Sequence, residues 1–338
     1  MKDDPRMTSL SRRTLLRVAG TGVGAALAES WITRSAWGET GVEGKTIGFS
    51  QSFTTTEWIK RQRDGVVEAA ARFHLKTVVS DANNQPTKQV RDIEDLVTRG
   101  VDIILISTYF AEAITPAIRE VNRAGVPIVV LSSPLVGNVG FDCHLSTDTT
   151  STAIEAGEWY VRELGGKGDV VEIDGSPGSV VNQARGKGWH QIIDKTPGIR
   201  MLGRVVGDYN RAKAIQGMED LLQAHPHIDA VYCHNDDMAI GAIKAAREAG
   251  RTKEMWFTGY DGLTVDALDA IAAGDLRATW RYLPFGTEAV EIAVRVLQKQ
   301  PVPKEISFPS PMITRENIAE FFDVATKAVK FPPSRLQL

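Results

Sequence analysis

The chain has 338 residues, more than one typical domain, so two are expected. Hydrophobic residues make up 43% and charged residues 24%, ordinary for a globular protein, and a net charge of -3 offers no basic surplus of the kind that nucleic-acid binders carry. Two cysteines, Cys143 and Cys233, are too few for a disulfide framework, and their spacing alone does not place them within bonding reach.

Near the start, SRRTLLRVAG (Ser11 to Gly20) sets paired arginines ahead of an apolar run, VAGTGVGAALA. That run, about 11 residues, is too short to span a bilayer and suits the middle of a signal peptide. Ser11, Arg12, Arg13, Leu15 and Leu16 resemble a twin-arginine export signal, with Arg17 where that pattern often carries lysine. Ala36-Trp37-Gly38 offers a small-x-small cleavage site, so residues 1–38 are assigned to the signal and the mature chain is expected to start near Glu39. The alternative is a basic N-terminal arm. No later apolar run is long enough for a transmembrane helix, so a soluble protein outside the cytoplasm, in the periplasm, is expected.

From Lys45 onward, strand and helix patterns alternate. TIGFS (46–50) predicts a strand, and a helix follows from about Trp58 with Ile59, Val66, Val67, Ala70 and Phe73 on or near one face. KTVVSD predicts the next strand. Thr87 can cap a helix carrying Val90, Ile93, Leu96 and Val97, which Gly100 stops. VDIILIS (101–107) and VPIVVLS (126–132) are continuous apolar runs, the pattern of strands buried on both faces and hence of a parallel sheet. The rhythm resumes with GDVVEID, MLGRVV, IDAVYC and MWFTGYD as strands, and helical patterns lie between them near 182–194, 210–224 and 237–249. Strands alternating with helices imply right-handed βαβ units. The stretch from VDIILIS to VPIVVLS also parallels the stretch from IDAVYC to MWFTGYD: strand, polar tip, helix, Ala-Gly stop, strand. The expected architecture is therefore α/β, two doubly wound parallel-sheet lobes facing each other.

In open α/β sheets, ligands bind beyond the carboxyl ends of the strands. Those ends read Ser50-Gln51, Ser107-Thr108 and Ser132-Ser133 in the first half, and Asp174, Asp208-Tyr209, Asn235-Asp236 and Asp261 in the second. Two lobes meeting tip to tip line a cleft with hydroxyls, amides and carboxylates, to which Trp58 and Tyr209 add flat apolar faces. Asn235 can both donate and accept, which suits a hydroxylated ligand. Asp236 and Asp237 begin a helix, where at least one carboxylate is expected to cap backbone N–H groups. No nucleophile–base constellation accompanies the two aspartates, so an enzyme is not expected. The six histidines show no metal spacing, and His234 reads as a structural residue. GGKG (165–168) reads as a turn, since the spacing of a phosphate loop is missing. No cofactor, metal or nucleic-acid partner is expected.

IGFSQ with Trp58, ARGKGW (184–189), GDYNRAKA, HNDDMAIGAI and GYDG (259–262), in that order, resemble the periplasmic sugar-binding proteins of the ribose and galactofuranose type. These are type I periplasmic binding proteins, the substrate-binding subunits of ABC importers. The resemblance runs from about Lys45 to Thr314. It implies a pocket arginine at Arg185, an aromatic stacking face at Tyr209, a ligand contact at Asn235 and a hydroxyl acceptor at Asp261, with Tyr282 at a hinge crossing beside them. It implies an N-terminal lobe of 45–146 plus 284–306, a C-terminal lobe of 147–283 plus 307–325 and a tail of 326–338. Hinge crossings are expected near Thr147, Tyr282–Leu283 and Ser307. The implied function is a monomeric carrier that delivers a small sugar or polyol to a membrane permease. The alternative is a sensing subunit that presents its ligand to a membrane histidine kinase. A transcription regulator of this fold would need a DNA-binding element before residue 45, where the export signal stands. One departure bears on the ligand: Ser132-Ser133 stand where the family commonly has Asp-Arg, and Ile59 follows Trp58 where the galactofuranose branch has a basic residue. The first lobe therefore brackets a hydroxyl-rich ring less strongly, which favours short polyols and furanose or deoxy sugars.

Overall fold

The computed structural model describes residues 41–331 and 336, so the export signal assigned to residues 1–38 lies outside the described residues. The chain runs through β1 (Thr46–Gln51), α1 (Glu57–Arg72), β2 (Lys76–Asp81), α2 (Pro86–Thr98), β3 (Ile103–Ser107), α3 (Ala111–Arg123), β4 (Ile128–Leu131) and β5 (Cys143–Thr147). It continues through α4 (Thr149–Glu163), β6 (Gly168–Asp174), α5 (Val180–Ile193), β7 (Ile199–Val206), α6 (Arg211–Ala224), β8 (Ala230–Cys233), α7 (Asp236–Glu248), β9 (Trp256–Asp261), α8 (Val265–Ala273) and β10 (Ala278–Arg281). Then come α9 (Gly286–Leu297), β11 (Glu305–Phe308), β12 (Met312–Thr314), α10 (Ile318–Phe321), β13 (Phe322–Asp323) and β14 (Ala328–Val329).

Two six-stranded sheets result, ordered β11-β5-β4-β3-β1-β2 and β12-β10-β9-β8-β6-β7. Every pairing in the first is parallel, and in the second only β12 runs antiparallel, against β10. The continuous apolar runs have the expected cause. Along β3 and β4, Ile103, Leu105, Val129 and Leu131 enter the core on one face of the first sheet. Ile104, Ile106, Ile128 and Val130 enter the core on the other. Successive side chains point to opposite faces, so a strand covered by helices on both sides must be apolar throughout. The second sheet divides likewise, with Val171 and Ile173 on one face and Val170 and Tyr232 on the other.

The chain passes between the sheets three times: after Thr147, after Arg281 and after Phe308. At the second passage Gly286 opens α9 against α1, where a Cβ would stand 2.3 Å from the Gln62 carbonyl oxygen, so only glycine allows the two backbones to meet.

The third passage, expected near Ser307, falls at residues 309–311, since β11 extends to Phe308, which pairs with Thr147 on the first sheet. Other local expectations need correction. The segment assigned to a tail from 326 forms a hairpin, Phe322 pairing with Val329, and the Lys330 carbonyl accepts from Arg281 at 3.0 Å. Thr87 does not cap α2. Pro86 occupies its first turn and Gln85 the cap position, with no side-chain cap bond. Proline suits that position because its fixed φ is already helical and its missing N–H is one the helix would leave unpaired anyway. Helix α1 starts at Glu57, capped by Thr56, whose hydroxyl accepts from Ile59 N at 3.4 Å. Cys143 and Cys233 are free and buried, one on each sheet, and burial pushes the Cys143 thiol up to about 12.

Candidate ligand-binding pocket between the lobes

At the carboxyl ends of the strands, a pocket of about 20 Å³ is lined by Thr56, Trp58, Tyr109, Ser132, Val181, Arg185, Tyr209, Asn235, Asp261 and Tyr282. It is assembled around Arg185. Ser179 caps α5 by accepting from Asn182 N at 3.2 Å, and the helix then carries Arg185 inward, 2% exposed. Arg185 Nη1 donates to the His234 carbonyl. Its guanidinium carbon lies 4.4 Å from the Tyr260 ring centre and 5.2 Å from that of Tyr282, so both rings face the cation. Nη2 is 3.5 Å from Asp261 Oδ1, close enough for an ion pair but long for a hydrogen bond. Among the described residues, Nε and Nη2 have no hydrogen-bond partner. Two buried donor nitrogens of a cation beside a cavity call for an acceptor.

His234 is held in turn. Its ring nitrogens lie 2.6 Å from Asn182 Oδ1 and 2.8 Å from Glu172 Oε1. The same Asn182 oxygen accepts from Gly175 N at 2.6 Å. The structural reading of His234 therefore stands. A group hidden by sequence distance also emerges: Glu172, Asp174 and His234 offer ligand atoms within 4.8 Å of one another. Arg204 already bridges both carboxylates, and His190 Nε2 holds Glu172 Oε2 at 2.9 Å. The Glu172 partner raises the His190 imidazole to about 9. Burial opposes the Glu172 charge, but the two histidines outweigh it and bring that carboxyl down to about 2. Arg204 and the two histidines thus hold the carboxylates, and the His234 carbonyl in turn accepts from Arg185.

The acidic stretch after β8 divides its tasks differently from the expectation. Asn235, rather than either aspartate, caps α7, its Oδ1 accepting from Met238 N at 3.0 Å. Beside Asp261, the Asn235 amide works to lower that acid's pKa, less strongly than burial, Arg185 and Asp237 act on it. Asp236 is buried and accepts from Gly262 N at 2.7 Å and from Thr279 Oγ1 at 2.6 Å, tying α7 to β9 and β10. Asp237 turns outward to Arg211 at 2.7 Å. Asn235 reaches the cap first because it leaves β8 in extended conformation, with φ −157° and ψ 170°, the geometry a capping side chain requires. Asp261 has φ 111°, an unusual conformation for a non-glycine residue, at the end of β9. Burial raises its carboxyl to about 7, with Arg185 opposing the rise.

Aromatic side chains form the walls. Trp58 stacks on Tyr282, ring centres 5.3 Å apart, and its Nε1 donates to the Tyr282 carbonyl at 2.9 Å. Tyr209 has φ 53° and its hydroxyl lies 3.3 Å from Ser179 Oγ. Ser132, with φ 68°, places Oγ 2.7 Å from the Tyr282 hydroxyl.

Of the residues expected in the cleft, Trp58, Ser132, Arg185, Tyr209, Asn235, Asp261 and Tyr282 line this pocket. Ser50, Gln51 and Ser133 are buried away from its lining. Gln51 Nε2 donates to Ile59 O at 3.3 Å and Gln62 Oε1 at 3.1 Å, and Ser50 Oγ accepts from Gln89 at 3.3 Å. These two strand-end residues knit the first lobe. Ser133 Oγ has no hydrogen-bond partner among the described residues. Thr56, Tyr109 and Val181 are additions. Tyr109 follows Ser107-Thr108, one of the strand ends singled out from the sequence, so its neighbourhood was visible but its own role was not. Outside lies a wider chamber of about 700 Å³, which shares Thr56 and Tyr209 with the inner pocket.

Residues 47–301 match the family model described as a periplasmic binding protein domain. A ribose import binding protein of Bacillus subtilis is 34% identical over 274 residues, covering 80% of this chain and 88% of the relative. A xylitol-binding protein of Mycolicibacterium smegmatis is 28% identical over 305 residues, covering 87% of this chain and 84% of the relative. A solved structure of an ABC transporter solute-binding protein from Mycobacterium smegmatis, with bound glycerol, aligns with a TM-score of 0.76 at 30% identity, over 82% of this chain and 96% of that one. With two parallel-sheet lobes and a match across both, the chain belongs to the periplasmic binding protein family.

Proposed function

We propose that this protein is a periplasmic solute-binding protein that captures a small neutral sugar or polyol between its lobes and delivers it to the permease of an ABC importer. The observation that carries the reading is the set of groups at the pocket: the unpartnered Nε and Nη2 of Arg185, beside the Asn235 amide and the Asp261 carboxylate. A buried donor, a two-way group and an acceptor match hydroxyls, each of which donates and accepts. The aromatic walls suit the C–H faces of the same molecules. Relatives named for ribose and xylitol, and a structure holding glycerol, support that ligand class. Ser132-Ser133 supply no charged grip from the first lobe, which favours short polyols and furanose or deoxy sugars over a hexopyranose. Capture involves hinge closure and no chemical step. Export follows the twin-arginine route through Arg12-Arg13.

Mass spectrometry of the molecule released from protein purified without added sugar identifies the ligand. A thermal-shift panel tests the class. Ligand at about a thousand times its dissociation constant adds roughly 4 kcal/mol, a shift of several degrees. Shifts with amino acids, metal ions or peptides alone would overturn the reading.

A further inference from the structure

The second passage between the lobes, residues 282–285, is docked on α1 through two side chains one turn apart. Trp58 Nε1 donates to the Tyr282 carbonyl at 2.9 Å, and Gln62 Nε2 donates to the Pro284 carbonyl at 2.8 Å. The two spacings match, because four residues of helix rise about 6 Å and two residues of extended chain span about 6.6 Å. Pro284 supports the fit, since a proline disfavours helical backbone at the residue before it, Leu283. The other side of Tyr282 belongs to the second lobe, where its N–H donates to the Asp261 carbonyl at 3.0 Å. Only the backbone torsions of Tyr282 lie between the bond to one lobe and the bond to the other. Its ring stacks on Trp58 and faces Arg185, so the direction of the passage sets where that wall of the pocket stands. Gln62 is fully buried and anchored at both ends of its amide, since its Oε1 accepts from Gln51 Nε2 at 3.1 Å at the end of β1. It lines neither the inner pocket nor the outer chamber.

We propose that Gln62 is a positioning residue for the ligand pocket, holding the second passage against α1 so that Tyr282 presents its ring to the ligand beside Trp58 and Arg185. The proposal rests on the capture of a sugar or polyol between the lobes and deepens it. A single hydrogen bond, from Trp58, would leave the passage free to pivot about the Tyr282 carbonyl. A second, two residues on, fixes its direction. Gln62 reaches that second carbonyl from a buried amide tied to β1, so the passage takes its direction from the first sheet. A ring already in place does not have to be ordered when the ligand binds, and that saving appears as affinity.

Calorimetric titration of the wild-type protein, Gln62→Met, Tyr282→Ala and the double variant with ribose, xylitol and glycerol tests this. Gln62→Met keeps the length of the side chain and removes both hydrogen bonds. It should weaken binding of whichever probe the wild type holds most tightly by about threefold or more. In the Tyr282→Ala background the same change should cost less than about twofold, since the ring it positions is gone. Mere loss of stability would lower the melting temperature yet leave the affinity of the folded protein unchanged, or would add its full cost to that of Tyr282→Ala. Circular dichroism checks the fold of Gln62→Met, and Gln62→Asn, whose amide stops one methylene short of Pro284, takes its place if it does not fold. Wild-type affinity in the Gln62 variant, or a fully additive loss in the double variant, overturns the role of Gln62 while leaving sugar–polyol capture standing. A wild type that binds none of the three probes overturns both.

Discussion

The hydroxyls of Ser132 and Tyr282 lie 2.7 Å apart, joining the end of β4 to the passage that leaves β10. Ser132 thus spends its hydroxyl on orienting Tyr282, whose ring faces Arg185 and stacks on Trp58. Tyr282→Phe should cost about 1 kcal/mol of stability and leave the ring in place. Tyr282→Ala should also uncover Arg185 and weaken ligand binding by about tenfold or more. Equal losses of affinity in the two variants, measured by calorimetry, would show that the hydroxyl rather than the ring supports the pocket.

Asp261→Asn and Arg185→Ala should each weaken ligand binding by roughly ten- to a hundredfold, since each removes a charged partner worth about 1.5–3 kcal/mol. Arg185→Ala should also lower the melting temperature, because it leaves the ion pair with Asp261 broken in a buried site. Wild-type affinity in both variants would remove them from the ligand site.

Stability should decline as pH rises through two windows. Burial raises the Asp261 carboxyl to about 7, against an ordinary value of about 4. Between these values the folded chain holds a proton that the unfolded chain has released, so stability falls as pH rises toward 7. Glu172 raises the His190 imidazole to about 9. That contribution is fully present below about 6.5 and is lost as pH rises through 9. Urea denaturation across pH should show Asp261→Asn flattening the lower window and His190→Gln the upper. A hydroxyl donating to Asp261 is held more strongly by the carboxylate than by the protonated acid, so affinity should fall as pH drops below 7, by at most about tenfold per unit. Unchanged slopes in the variants would contradict these assignments.

Gly175→Ala should disturb the pocket without touching its polar groups. A Cβ there would stand 2.2 Å from Tyr209 ring carbons, so the ring must move. Overpacking of this kind costs about 1–3 kcal/mol. Lower stability together with weaker ligand binding is expected, and binding at wild-type strength would mean that the position of Tyr209 is immaterial.

Replacing Arg12 and Arg13 by lysine should leave precursor in the cytoplasm, read by fractionation and immunoblotting. Undiminished export of the double variant would exclude the twin-arginine route.

Periodicity and strand-end chemistry made the two α/β lobes legible in the sequence, because apolar runs such as VDIILIS can be stable only where both faces are covered. Asn235 and Asp261 stood out because the ends of parallel strands face the cleft whatever the packing around them, whereas Arg185, within α5, was expected only from the resemblance carried by ARGKGW. Local pattern could not show how polar groups pair across sequence distance. Ser50 and Gln51 share the strand-end position of true lining residues, yet Gln89, Ile59 and Gln62 draw them into the lobe. Asn235 and Asp236 are adjacent and both suited to capping, and the choice fell to backbone direction and to Gly262 and Thr279, residues that only folding brings near. Tyr109, next to the strand end Ser107-Thr108, was not singled out in the sequence. Its contact with both cores arises from the closure of one lobe on the other, a relationship that tertiary structure alone decides.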